Sequence, residues 1–204
     1  MLKSLKYALY VTVHPFDGFW DVKHEKKGNM KTALIVLTLI LIVIACSQQF
    51  SGYSYNYIPI EERNVFKEWF GFLFPFSLWI ISSNCVTSIM DGEGSLRDIF
   101  IYSTYAMLPF VFCHVIIIML SNILPSEAAT FLTIINSASY IWCGGLLFFG
   151  TLVTHNYSLG KSILVSLIII LAMMVIVMLI LICLQLVQQV ITFVEIIYDE
   201  LFVR

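Results

Sequence analysis

Residues 162–194 read SILVSLIIILAMMVIVMLILICLQLVQQVITFV, thirty-three residues without one Asp, Glu, Lys or Arg. A helix of about 20 apolar residues crosses the ~30 Å hydrocarbon core of a bilayer. Working back along the chain, 128–160, 99–126, 69–90 and 32–50 are equally free of those charges. In lipid every backbone polar group has to be paired inside the segment, so such runs read as helices. A β-barrel would show alternation over about 10 residues instead of continuous runs. Composition agrees: the chain is 60% hydrophobic and 12% charged, with mean hydropathy +0.93, where a soluble domain carries about 25% charged residues. The fold class is therefore all-α. It is a polytopic membrane protein with a five-helix transmembrane bundle, an amphipathic interfacial N-terminal helix and an amphipathic C-terminal helix. A net charge of −2 gives nucleic-acid binding no electrostatic support.

The chain divides into three parts. Residues 1–30 form an interfacial segment on the cytoplasmic face. Leu2, Leu5 and Leu9 recur at helical spacing beside Lys3 and Lys6, a pattern that lies in the headgroup plane. His14-Pro15 ends that helix. Phe16, Phe19 and Trp20 then share a face, with Lys23, Lys26 and Lys27 on the polar side, as expected of an anchor on an anionic leaflet. Polar residues fill 14–31 where a signal peptide's apolar region would lie, so the first span is expected to remain as an anchor. Residues 31–186 carry the spans, at about 32–50, 69–90, 99–122, 131–153 and 161–186. Residues 187–204 form a tail in which Val190, Phe193, Val194, Ile197 and Leu201 face one way and Glu195, Asp199 and Glu200 the other. It is expected outside the cytoplasm, on the leaflet or on a protein, and its acidic face favours protein. With the N-terminus inside, eight Lys and Arg (Lys3, Lys6, Lys23, Lys26, Lys27, Lys31, Arg97, Lys161) fall inside and three (Arg63, Lys67, Arg204) outside. The positive-inside rule puts the N-terminus in and the C-terminus out.

No complete catalytic, cofactor or metal site is visible. Cys46, Cys85, Cys113, Cys143 and Cys183 all lie in spans, none in a Cys-x-x-Cys pair, and read as small packing residues. The densest polar feature is the loop Asp91-Gly92-Glu93-Gly94-Ser95-Leu96-Arg97-Asp98. Gly92 and Gly94 suit a turn with φ > 0, and Ser95 or Asp98 can cap the third span. Asp91, Gly92, Glu93, Gly94, Arg97 and Asp98 are the candidate contact surface for a cytoplasmic partner. A calcium loop lacks its later ligands here, and a phosphate loop lacks its Gly-Lys-Ser/Thr ending.

Inside the spans, His114 is the one acidic, basic or histidine residue well away from an end, which makes it a functional candidate. Pro109 should kink span three and free a carbonyl. Tyr105 and Tyr102 sit just before it. Asn84 with Ser82 and Ser83, and Asn136 with Ser137 and Ser139, fit interhelical hydrogen bonds. Gly144 and Gly145 permit close approach or a break. An intramembrane CAAX-type protease would need Glu-Glu-x-x-x-Arg. Glu61-Glu62 begins that pattern, but position 66 is Phe66. Phe110-x-x-x-His114 fits its second element, and the further His is missing.

The run Asp91-Gly-Glu-Gly-Ser-Leu-Arg-Asp-Ile-Phe-Ile-Tyr-Ser-Thr-Tyr-Ala-Met-Leu-Pro109 resembles the second-to-third-span signature of Yip domain membrane proteins. There, a Gly-containing polar turn precedes a span with Tyr-Ala-x-x-Pro. His14-Pro15-Phe-Asp-Gly-Phe-Trp-Asp and Lys26-Lys27-Gly28 resemble bacterial members. The resemblance implies five spans, a bacterial plasma-membrane location and partners among integral membrane proteins. Bacterial members resemble accessory proteins encoded near ABC-type carbohydrate importers, so ABC transporter subunits are the implied partners. The eukaryotic members' Rab/Ypt GTPases fit less well, because the segment before the first span is short. The expected function is a non-enzymatic accessory or scaffold protein, embedded in lipid and docking to another membrane complex. A stand-alone permease is the alternative, with a polar cavity between spans two, three and four that uses His114 or Asn84. The protease is the remote one.

Overall fold

The computed structural model describes residues 2–25, 28–52 and 63–202. All its regular structure is helical: α1 (Leu2–Val13), α2 (Pro15–His24), α3 (Met30–Phe50), α4 (Val65–Ile89), α5 (Leu96–Ala106), α6 (Leu108–Ser121), a 3-10 turn at Ser126–Ala128, α7 (Ala129–Thr154) and α8 (Leu159–Phe202). Five units are long and apolar enough to cross a membrane: α3, α4, α5 with α6, α7 and α8. The five-span bundle read from the uncharged runs is the fold.

Local sequence sets the ends. Asn29 caps α3 by accepting from the Lys31 N–H, and Asn64 caps α4 by accepting from Phe66 and Lys67. That cap starts α4 four residues earlier than the uncharged run suggests. Ser95 and Asp98 form a reciprocal capping box on α5. The third span breaks at Met107. Pro109 has no N–H to offer the Tyr105 carbonyl, and the Met107 N–H turns back to Thr104 instead, at 3.2 Å. Nothing breaks α8. It contains no Gly or Pro after Gly160, and residues 187–202 of the tail continue the fifth span in one 44-residue helix.

The N-terminal pair is more deeply embedded than an interfacial segment need be. Proline at the start of α2 turns the chain, and α1 and α2 cross so closely that a Cβ on Gly18 would meet Val11 Cα at 2.8 Å. Ala8, Val11, Phe19 and Val22 then join the main core with Ala33, Val36, Ile101, Tyr102 and Tyr105. Leu9, on the face expected to seek lipid, is 40% exposed, while Ala8 and Val11 go inward. Phe19 meets the Tyr102 ring edge-on at 6.2 Å.

Between the middles of the helices the hydrogen bonds come from aromatic side chains, while Ser82, Ser83 and Asn136 Oδ1 have no partner among the described residues; at the end of α6, Asn122 Nδ2 donates to the Phe50 carbonyl at 2.7 Å. Trp69 Nε1 donates to the Leu41 carbonyl (2.9 Å) and Trp79 Nε1 to Ser103 Oγ (3.2 Å). Thr151 Oγ1 donates to Leu147, so the Tyr102 hydroxyl donates to Thr151 at 3.2 Å. Ser139 and Thr87 donate to carbonyls of their own helices, because a short hydroxyl reaches its preceding turn more easily than a neighbouring helix. Gly144 and Gly145 have open space around them and leave α7 unbroken. The close approach falls at Gly150, where a Cβ would lie 2.5 Å from the Tyr102 ring.

Candidate functional site

Two polar sites stand at opposite ends of the bundle. The first joins the α4–α5 loop, the α7–α8 turn and α2. Two residues past each of helices α4 and α7 stands a residue with positive φ, Asp91 at 54° and Asn156 at 53°. In each turn the next N–H reaches back five residues: Gly92 to the Thr87 carbonyl at 2.8 Å, and Tyr157 to Leu152 at 3.0 Å. The left-handed residue in the loop is thus Asp91, an aspartate that tolerates it, and not Gly92 or Gly94, since no glycine has positive φ. These glycines supply room instead. A Cβ on Gly92 would sit 2.5 Å from His155 Nδ1, and one on Gly94 2.7 Å from His155 Cε1.

His155 is the centre of this site and is 1% exposed. Its Nδ1 accepts from the Gly94 N–H at 3.2 Å. Nε2 therefore carries the proton, and it is buried with no acceptor among the described residues. Burial first, then the nearby Lys23 charge, push this histidine down to about 4, against the pull of Asp98 and Glu93. The Tyr157 hydroxyl donates to the Met90 carbonyl at 3.2 Å, and Lys161 lies 4.6 Å above the Tyr157 ring. Burial raises that tyrosine.

Glu93 links the three segments. One oxygen accepts from Lys23 Nζ at 3.0 Å and from Asn156 Nδ2 at 2.7 Å. These bonds, that of Lys23 first, hold its carboxyl below the ordinary carboxylate range. Lys23, read as a lipid anchor, is only 14% exposed in its side chain. Docking of α2 turns it to the loop. Asp98 is occupied by Ser95, which leaves Asp91 and Arg97 outward on this loop. Phe16 packs on Phe149 at 4.8 Å and Trp20 stacks on His24 at 3.7 Å, each half exposed. The readings for Lys26, Lys27, Glu61 and Glu62 lie outside the described residues.

The second site lies between α3, α4, α6 and α7. His114 is buried there, with Nδ1 3.1 Å from the Phe110 carbonyl and its ring stacked on Phe110 at 3.8 Å. It lines a cleft of about 240 Å³ with Glu68, Gln48, Phe72 and Tyr140. Tyr105 and Pro109 are buried in the main core, away from that lining, and Asn84 is half-buried towards the opposite end of α4. The cavity expected to join His114 and Asn84 is therefore formed by His114 without Asn84.

The sequence singled out neither His155, Asn156 and Tyr157 nor Glu68 and Tyr140. Nothing local marks them: His155, Asn156 and Tyr157 bond partners 61, 63 and 67 residues away, and Glu68 and Tyr140 meet His114 only across helices. Among the described residues no group of three or more His, Cys, Asp or Glu could hold a metal ion.

Among curated proteins and among solved structures, none matches the chain. The Yip1 domain does, over residues 9–181, and its family is not a known enzyme family. The match runs from α1 into α8 and takes in both polar sites, and on that coverage the chain belongs to the Yip1 domain family of membrane proteins.

Proposed function

We propose that this protein is a non-enzymatic integral membrane accessory or scaffold protein that docks to another membrane complex through α8. The observation that carries this reading is the length and exposure of that helix. Forty-four residues extend about 66 Å at 1.5 Å per residue, twice the ~30 Å of hydrocarbon. Near its start Val165 and Ile169 pack with Val86 and Tyr157. Further on, Val187, Ile191 and Val194 are exposed, past the span read at 161–186. Gln185, Gln188, Gln189 and Thr192 form a polar stripe beside them. Apolar surface left in water costs about 25 cal/mol per Å², and a protein partner removes that cost.

The family resemblance supplies the partner class, ABC-type transporter subunits, and the location, a bacterial plasma membrane. The positive-inside bias supports the N-terminus inside and the C-terminus outside. The outward residues Asp91 and Arg97 offer a smaller second contact on the cytoplasmic side.

The test is purification of the tagged native protein in mild detergent, with partners identified by mass spectrometry. Transporter subunits recovered in fixed ratio, and lost from a Val187→Lys, Val194→Lys double variant, support the reading. A homogeneous particle of this chain alone overturns it and favours a self-contained permease built around the His114 cleft.

A further inference from the structure

We propose that the cleft between α3, α4, α6 and α7 binds a primary ammonium group, through Glu68, His114 and Tyr140. This goes beyond docking by α8 and does not depend on it.

The first ground is an unmatched charge. Glu68 sits in the first turn of α4, half-buried, beside Phe72 and Tyr140 in the cleft lining. The ion pair found among the described residues is Lys23 with Glu93, at the other end. Arg63 donates to the Gln48 carbonyl at 2.7 Å and forms no ion pair with Glu68. With no cation paired to it among the described residues, the half-buried Glu68 carboxylate is open to a cationic ligand.

The second ground is the tautomer of His114. A carbonyl oxygen only accepts, so the contact with Phe110 requires the proton on Nδ1 of the neutral ring. Nε2 is then a lone pair, and the cleft presents acceptors in Nε2 and the Glu68 carboxylate. Tyr140 and Ser47 hydroxyls can accept as well. Among its described residues that lining offers an anion no charged donor. A cation carrying several N–H donors fits all of them, and the –NH3⁺ group has three.

The third ground is the wall. Phe110 lies 6.0 Å from Phe72 and 5.7 Å from Tyr140, centroid to centroid, and aromatic faces attract a desolvated cation. The depth suits an amine at the membrane surface. Gln48 lies in the last turn of α3 and Glu68 in the first of α4, while His114 is seven residues from the end of α6, about 10 Å in from that end. A volume of about 240 Å³ admits a group of several heavy atoms, given ~30 Å³ for one water. The same chemistry is offered by a free amine and by the headgroup of phosphatidylethanolamine.

The full-length protein in nanodiscs of phosphatidylglycerol, phosphatidylethanolamine or phosphatidylcholine separates these sources. Native mass spectrometry reads the retained lipid, and thermal shift reads added ethanolamine against choline. Wild-type protein that retains phosphatidylethanolamine over phosphatidylcholine by about tenfold, as a charged hydrogen bond of about 1.4 kcal/mol requires, identifies the headgroup. Saturable stabilisation by ethanolamine without lipid preference identifies the free amine. Either effect should be lost in Glu68→Gln and weakened in Tyr140→Phe. Equal response to the primary and quaternary compounds in the wild type overturns the proposal without any variant, as does an unchanged preference in Glu68→Gln.

Discussion

Acid should weaken this fold through one residue, His155. Its ring is buried and held near 4, against an ordinary 6.5, so between those values the unfolded chain binds a proton that the folded chain refuses. The stabilisation is complete above pH 6.5 and is lost as pH falls towards 4. Taking both states explicitly, moving from pH 7.5 to pH 5 removes about 2 kcal/mol at full strength. The site lies at the end of the bundle, where solvent screening reduces that to about 1 kcal/mol. For a chain of this size about 1 kcal/mol corresponds to a Tm change of roughly 3 °C. The comparison protein is His155→Gln, whose amide oxygen can still accept from Gly94 and does not titrate. Tm is measured in detergent at both pH values by tryptophan fluorescence, each protein against itself. The wild type should lose about 3 °C more than the variant. Parallel losses in the two proteins would refute the role given to His155, whatever the other histidines contribute.

The crossing of α5 and α7 gives a sharper steric test. Gly150→Ala drives a Cβ into the Tyr102 ring, at 2.5 Å, and should cost about 1–3 kcal/mol; Tyr102→Leu in the same chain should recover most of that Tm. Gly144→Ala, with nothing within 4 Å, should instead raise Tm, since Ala exceeds Gly in helix propensity by about 1 kcal/mol. Trp79→Phe removes the donor to Ser103 and should lose about 1 kcal/mol in chemical denaturation. For orientation, an impermeant thiol reagent should reach Arg97→Cys from the cytoplasmic side only, in a background lacking the native cysteines; labelling from outside would invert the assignment.

Much of the fold was legible because lipid imposes a simple rule: an uncharged run of sufficient length becomes a helix. The capping box at Ser95 and Asp98 and the break before Pro109 were legible too, being interactions within four residues. The candidate sites were only partly so. His114 stood out as an isolated histidine in an apolar run, but its cleft partners Glu68 and Tyr140 come from other helices. Lys23 looked like a lipid anchor because the lysines nearby are basic without distinction, and only the docking of α2 brings it to Glu93, seventy residues away. Gly144 and Gly145 looked like the packing glycines because they are adjacent, yet α7 turns Gly150 to its neighbour.

The sequence by itself determined the number of spans and their order, since each depends on the polarity of a contiguous stretch, while the ends of α4 and α8 fell outside the uncharged runs that announced them. The tertiary structure decided which face of each helix meets protein. In a soluble helix an apolar stripe answers that question, but lipid is as apolar as a protein core and leaves the faces of a membrane helix undifferentiated. Burial of His155, the Lys23–Glu93–Asn156 link and the His114 cleft all follow from that choice of faces. So does the choice of Val165 and Ile169, among the equally apolar residues at the start of α8, as the ones that pack.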